Sequence, residues 1–349
     1  MATQEGLIPE SAGYEKGDSG SDVEKMQAWL TRFGYLDSSI LDQFGLSHDE
    51  AEPPPRSPGD FDANTERALT KMQEFHGLPP TGILDEATLE VLQAPRCGVP
   101  DAPTKEESNT ALAEIGTKWN TTNLGWGLGT HTSDLTTAQV RSAIQIGFRM
   151  WSAVTPLTFT ERSYSSNPEI LISFGGTNHP PCPSPFGPTV LAHAYYPPPN
   201  GGSFAGDAHF NNGRTWSISS PVPRGSIDLP TVAGHEFGHS LGLAHSSVAS
   251  ALMAPTYAGL RRSLHSDDIR RIQALYGQRQ QISTTPTRVF VTPHTKNAWA
   301  QLTGFGWVKI KPTTAEGVTT TFATLVAARK AQAAATILIE NGEITAAYR

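Results

Sequence analysis

The run Gly234-His235-Glu236-Phe237-Gly238-His239-Ser240-Leu241-Gly242-Leu243-Ala244-His245 gathers the residue types from which a hydrolytic metal centre is made. His235 and His239 stand four apart, one turn of helix, so their imidazoles share a face and can hold one ion. Gly242 lets the backbone leave the helix, and His245 then swings back as a third ligand. Three imidazoles with no fourth protein ligand leave a position open for water, as a catalytic zinc requires. Glu236 adjoins the first ligand, placed to take a proton from that water, whose pKa zinc lowers towards neutrality. The alternative is a surface helix with incidental histidines, for which the fixed His, Glu and Gly positions would have to coincide by chance. The grouping reads as the centre of a zinc hydrolase.

The same run calls for a floor beneath the metal, and Ala251-Leu252-Met253-Ala254-Pro255-Thr256-Tyr257 follows closely. A lone methionine is ordinarily core filler. At this distance behind a third histidine, Met253 resembles the methionine turn of the metzincins.

Composition narrows the class of protein. A chain of 349 residues implies two or three domains with real cores. The net charge of −7 comes without a basic stripe, so nucleic acid is not an expected partner. No apolar run reaches membrane-spanning length. The start, Met1 to Leu7, lacks a basic n-region and an apolar h-region, so no signal peptide is visible. Two cysteines, Cys97 and Cys182, make no disulfide scaffold and leave the redox compartment open.

Residues near 1–20 are polar and Gly-rich, a loose lead-in. A first helix is expected from Ser21, with Glu24 completing a capping box and Val23, Met26, Leu30 and Phe33 as its inner stripe. Leu41 to Asp60, rich in proline, reads as an exposed loop. A second helix carries Leu69, Met72 and Phe75; a third, after Asp85, carries Leu89 and Leu92. Together they make a small helical domain over 1–94. Residues 95–116 hold Pro95-Arg96-Cys97-Gly98-Val99-Pro100-Asp101 and then a polar stretch without pattern. Over 117–277 a strand opens at Lys118, an amphipathic helix spans Leu135 to Val154, and strands follow at Thr158-Phe159-Thr160 and Ile170 to Phe174. The last helix begins near Leu264 and ends at Tyr276.

Two of these segments resemble known families. Val23…Met26-Gln27…Leu30…Phe33-Gly34-Tyr35, with Phe61-Asp62…Phe75-His76-Gly77-Leu78 and Thr81-Gly82, is similar to the peptidoglycan-binding-like domain. The heptapeptide from Pro95 to Asp101, ahead of the three-histidine motif and methionine turn, resembles the cysteine switch of the matrix metalloproteinases (matrixins) at every position. That resemblance implies a zymogen of a zinc endopeptidase acting on protein or peptide. In it Cys97 takes the water's place on zinc, and Arg96 pairs with Asp101 to hold the loop. Residues 102–116 become a cleavable linker, and Asp267 receives the new N-terminal ammonium. The edge strand at Leu191-Ala192 and the wall at Pro255 and Tyr257 bind substrate, and Met253 to Leu264 line the S1′ pocket. It also implies a secreted or extracellular monomer. A Cys97–Cys182 disulfide or a free thiol is the alternative for Cys97. For the N-terminal module, binding of cell-wall polymer stands against retention as a pro-region scaffold. The zinc site also suits cleavage of peptidoglycan cross-links.

Between Gly175 and Trp216 lies a second constellation: His179, Cys182, His193 and His209. Leu191 to Ala194 and Gly206 to Phe210 match the matrixin pattern, which implies a structural zinc on the three histidines. The family's fourth ligand, an aspartate, is Pro181 here. Cys182, one residue later, could complete a His₃Cys tetrahedron that zinc accepts, or be a small buried hydrophobe. The resemblance also implies calcium on Glu169 and Asp207. Gly187, Asn211 and Arg214 replace other family carboxylates, so at least one calcium site is lost, with Arg214 in place of a cation.

Residues 278–349 fall outside the resemblance. A polar linker leads to strands at Arg288 to Thr292 and Trp307 to Ile310, a helix near Thr321–Ala334, and a hairpin about Asn341-Gly342. The fold class expected is α+β: a three-helix pro-domain, a metzincin domain with a twisted, mostly parallel sheet, and a small α+β C-terminal domain.

Overall fold

The computed structural model describes residues 8–36, 58–101, 118–292, 297–312, 315–340 and 343–348. The linker at 102–116, most of the loop expected at 41–60 and the Asn341-Gly342 turn lie outside them. The chain divides into two compact units, one formed by Met1–Trp151 with Thr158–Leu275, the other by Ser152–Leu157 with Tyr276–Arg349.

The first unit opens with helices α1 (Ser21–Arg32), α2 (Ala63–Phe75) and α3 (Glu86–Gln93). Val23, Met26, Leu30, Phe33, Leu69, Met72 and Leu92 meet in one apolar cluster, as their spacing predicts. Asp62 and Asp85 cap α2 and α3, accepting from the Thr65 and Thr88 amides. The capping box expected at Ser21 does not form. Gly20, at φ 148°, holds the N-cap position without a side-chain bond, and Ser21 is already helical. Nor is the lead-in loose over its described part. Gly13 N–H donates to Leu84 O at 2.7 Å and Leu84 N–H to Tyr14 O at 2.9 Å, backbone pairs that turn composition does not reveal.

Six strands build the main sheet: β1 (Arg96–Cys97), β2 (Asn123–Leu128), β3 (Thr158–Glu161), β4 (Ile170–Gly175), β5 (Val190–Ala194) and β6 (Ala208–Asn211). Their order is β1-β5-β6-β4-β2-β3, and β5–β6 alone pairs antiparallel, so the sheet is mostly parallel as expected. β2 begins at Asn123 rather than Lys118. Trp119 is used instead as an anchor, its Nε1–H donating to Ser240 O at 2.8 Å.

Helix α4 (Thr137–Ser152) buries Val140, Ala143, Ile144, Phe148 and Trp151 and backs α5 (Leu229–Ser240). Phe148 stacks on Phe237 with centroids 3.9 Å apart, and Trp151 Nε1–H donates to Gly234 O at 2.9 Å. Helix α6 (Ser266–Tyr276) closes the chain's matrixin-like part, and β7 (Trp216–Ser217) pairs with β8 (Ile227–Asp228) just before α5.

The second unit is α+β, as expected. Strands β9 (Arg279–Thr284), β10 (Pro286–Val291), β11 (Ala298–Leu302), β12 (Gly306–Ile310), β13 (Ala335–Glu340) and β14 (Glu343–Tyr348) order as β10-β11-β12-β14-β13-β9. Helix α7 (Ala315–Lys330) covers one face through Val318, Leu325 and Ala328. The stretch read as a polar linker is strand β9 along most of its length. An edge strand beside the apolar β13 needs only its backbone to pair, so polar side chains conceal it. The helix starts earlier than expected because Val318 packs on the sheet, a tertiary contact that local propensity does not carry.

Candidate metal centre

Asp228 starts α5, its carboxylate accepting from Thr231 N–H at 3.1 Å and Oγ1–H at 2.6 Å. Every residue of the helix is buried, so no amphipathic stripe marks it. His235 and His239 rise on one face with Nε2 atoms 3.2 Å apart. After Ser240 the chain turns through Gly242 at φ 104°, a conformation that favours glycine, and His245 Nε2 returns to 3.2 Å from His235 Nε2.

Two carbonyls set the tautomers. His235 Nδ1–H donates to Leu252 O at 2.8 Å and His239 Nδ1–H to Leu243 O at 2.7 Å. Their Nε2 lone pairs therefore converge, and burial keeps them unprotonated, His235 at about 3 and His239 well below the usual imidazole range. Converging buried lone pairs repel each other unless a cation lies between them. Met253 lies under the helix at Gly238, where an added Cβ would come within 2.2 Å of its sulfur. Asp268 holds that turn, accepting from the amides of Leu252 at 2.8 Å, Met253 at 3.1 Å and His265 at 2.8 Å.

Cys97 completes the cluster. Its Sγ lies 3.5 Å from both His239 Nε2 and Glu236 Oε2, and the ligand atoms of Cys97, His235, His239 and His245 all fall within 4.8 Å of one another. Burial pushes Glu236 up to about 8, and burial with the Glu236 charge pushes the Cys97 thiol well above its ordinary value. Glu236 Oε1 is buried with no hydrogen-bond partner among the described residues. An orphaned carboxylate oxygen, a thiol and three imidazole lone pairs suit a zinc ion, which takes S and N ligands and favours the thiolate.

Backbone pairing delivers the thiol. Gly98 N–H donates to Ala192 O at 2.8 Å, while Cys97 N–H donates to Pro255 O at 2.9 Å and Tyr257 N–H to Pro95 O at 2.8 Å. Residues 95–98 thus thread between Leu191-Ala192 and Pro255–Tyr257, the two segments expected to hold substrate. Leu191, Thr231, Glu236, Leu252, Tyr257 and Arg261 line a recess beside Cys97.

Arg96 is fully buried, pairs with Asp101, and lies 3.5 Å from the Phe33 ring centroid and 4.8 Å from that of Trp29. Asp101 also accepts from Tyr35 Oη–H at 2.8 Å and sits 2.8 Å from His245 Nδ1. Burial alone would raise this carboxyl; Arg96, His245 and His76 outweigh it and hold Asp101 well below the carboxylate range. Sequence reasoning missed Tyr35, His76 and the Asp101–His245 contact, for which no spacing or motif is a signal. Asp267, expected to await a terminal ammonium, accepts from Ser246 Oγ–H at 2.8 Å and pairs with Arg270.

His193 and His209 are cross-strand partners on β5 and β6, which sets the second cluster. His193 Nε2 lies 3.1 Å from His209 Nδ1, 3.4 Å from His179 Nε2 and 3.3 Å from Cys182 Sγ. Cys182 also contacts Tyr195 Oη at 3.1 Å. Both cysteines are free and stand in separate clusters, so the Cys97–Cys182 disulfide is overturned. Glu169 and Asp207 accept from the amides of Gly125 at 2.6 Å and Leu171 at 3.3 Å, and burial pushes Asp207 up to about 7. Among the described residues neither belongs to a cluster of three or more His, Cys, Asp or Glu ligands. Arg214 donates to Pro188 O, and Asn211 Nδ2–H to Val190 O at 2.9 Å.

A mostly parallel sheet, a buried helix with a HisGluxxHisxxGlyxxHis ligand set and a methionine floor define a metzincin-type zinc domain. Residues 118–277 match the matrixin family, and residues 19–92 match the peptidoglycan binding domain family. Human (Homo sapiens) matrix metalloproteinase-17 is 37% identical over 272 residues, 74% of this chain and 41% of the relative. Matrix metalloproteinase-18 of Xenopus laevis is 44% identical over 215 residues, 60% of this chain and 43% of the relative. The chain spans about two fifths of the length of these relatives. It carries a matrixin domain behind a peptidoglycan-binding-like domain.

Proposed function

We propose that the chain is the latent form of a zinc endopeptidase that hydrolyses peptide bonds in proteins. The observation that carries this reading is Cys97 Sγ at 3.5 Å from both His239 Nε2 and Glu236 Oε2, inside the three-histidine cluster. His235, His239 and His245 hold zinc, which supplies Lewis acidity to the scissile carbonyl and acidity to water. Glu236, adjoining the ligand His235 and facing the cluster, takes the proton from the attacking water and hands it to the leaving nitrogen. Substrate lies extended between Leu191-Ala192 and Pro255–Tyr257 with one side chain in the recess. Residues 95–98 hold that path in the latent form, and Arg96 and Asp101 keep them there.

The N-terminal helices serve as a pro-domain, residues 102–116 as the segment cut on activation, and 278–349 as a separate small domain. His179, Cys182, His193 and His209 hold a second, structural zinc. Glu169 and Asp207, which accept from the Gly125 and Leu171 amides, are the calcium candidates on the family resemblance alone. Arg214, bonded to Pro188 O, stands in for a further ion. By resemblance to the matrixin family, the protein works outside the cell.

Casein hydrolysis tests the reading with three forms: the full chain, a chain beginning after Asp101, and that shorter chain with Glu236→Ala. Cutting by the unsubstituted short form alone, stopped by a zinc chelator, is the expected result. If none cuts with zinc supplied, protein is the wrong substrate class.

A further inference from the structure

We infer that the second metal cluster is a latch for the pro-domain, so that its occupancy controls how well Cys97 is shielded. The inference rests on the reading of His179, Cys182, His193 and His209 as a zinc site. Two of these ligands, His179 and Cys182, lie on the loop 176–189 between β4 and β5. The other two, His193 and His209, lie on the sheet. A metal held by all four would tie the loop down to the sheet.

Arg214 and the Arg96 amide hold residues 188–189 of this loop from outside, through Pro188 O and, at 3.0 Å, Thr189 O, whereas the ligand-bearing part, 177–184, is bonded mostly within the loop. Cys182 N–H donates to His179 O at 3.2 Å and Phe186 N–H to Thr177 O at 3.0 Å. Tyr195 Oη–H reaches Ser184 Oγ at 3.2 Å. Metal binding would therefore order the part of the loop that carries His179 and Cys182.

The loop's other side belongs to the pro-domain. Phe186 is 1% exposed and sits in the same apolar cluster as Val23, Met26, Leu30, Phe33 and Leu69. Its ring stacks on His179 with centroids 4.2 Å apart, so a metal ligand and a pro-domain core residue pack face to face. Arg32, at the end of α1, donates to Pro185 O at 2.9 Å. From the same cluster Phe33 meets the Arg96 guanidinium, and Arg96 is the neighbour of Cys97 in β1. The contacts run without a break from the metal cluster through Phe186 and Phe33 to the switch. The loop is the element with two arrangements, tied or untied, that both sites bias.

The test uses the full chain and reads zinc per chain together with the rate of Cys97 alkylation under native conditions, scored by peptide mass spectrometry. The unsubstituted chain and Cys182→Asp, whose carboxylate zinc also accepts, should each hold two zinc ions per chain and alkylate slowly at Cys97. Cys182→Ala/His209→Ala keeps the His179–Phe186 stack but loses two ligands. It should hold one zinc and alkylate about tenfold faster, within the usual range of site-to-site coupling. Phe186→Ala keeps every ligand and should hold two zinc ions while alkylating faster, which guards against a double variant that fails to fold. Unchanged alkylation in Phe186→Ala, or in a folded double variant with one zinc, overturns the latch. One zinc in the unsubstituted chain overturns the second metal site itself.

Discussion

Glu236 shows how a site can be built by withholding a partner. Its helix buries it completely, one carboxylate oxygen faces the Cys97 thiol and the other is left unpaired among the described residues. Such a group is costly unless a cation or a reacting proton completes it. Glu236→Gln in the chain beginning after Asp101 should keep its zinc and lose roughly 10²–10⁴-fold in peptide hydrolysis, read as kcat/KM beside metal content. Arg96 is a fully buried cation paired with Asp101 and faced by two aromatic rings, while its Nη1 finds no hydrogen-bond partner among the described residues. Arg96→Ala leaves Asp101 buried beside His245 without its cation, a change that costs about 3–5 kcal/mol in comparable pairs. A lower melting temperature and faster Cys97 alkylation in the full chain are expected; unchanged values in both would refute the clamp.

At the scale of the element, α5 could be found only by its ligands. A helix buried on every side carries no hydrophobic stripe, so the His-Glu spacing rather than periodicity marks it. What seats it is close approach. Gly238 lies against the Met253 sulfur, and Gly147 of α4 lies against the Gly234 amide, where an added Cβ would come within 3.0 Å. Gly238→Ala should push the methionine floor away and cost about 1–3 kcal/mol, the usual penalty for overpacking. A drop in melting temperature together with weaker zinc retention is the expected pair of results. The capping of α1 was misread for a related reason: whether Ser21 caps depends on the turn that enters the helix, and Gly20 already makes it.

For the whole molecule, latency and metal content should rise and fall together. The N-terminal helices, residues 95–98 and the zinc helix share one unit, and residues 95–98 fill the channel between Ala192 and Pro255–Tyr257 proposed for substrate. Chelation should lower the melting temperature of the full chain, because each metal stabilises the folded state by mass action, about 2.7 kcal/mol at a hundred times Kd. Zinc should restore the lost stability. With Arg214 already bonded to Pro188 O, calcium alone should restore little of it. Full recovery with calcium alone would reverse the assignment of these sites.

The sequence by itself determined the parts whose chemistry demands particular residues at particular spacings. The three histidines, Glu236, Met253, the Pro95–Asp101 heptapeptide and the apolar seams of the N-terminal helices were all legible, since ligand reach and helical period are local properties. Tertiary structure decided whatever depends on which distant groups meet. Which side chains lie beside Cys182 was not legible until β5 and β6 paired His193 with His209 and left His193 Nε2 3.3 Å from the Cys182 sulfur. Asp101 was legible as a partner of Arg96, but its approach to His245 depends on how the pro-segment crosses the metal cluster. Phe186 lies in the loop 176–189, and packing alone makes it part of the core of the N-terminal helices. Spacing along the chain encodes contacts within a turn or two, whereas contacts between elements arise from burial summed over the whole fold.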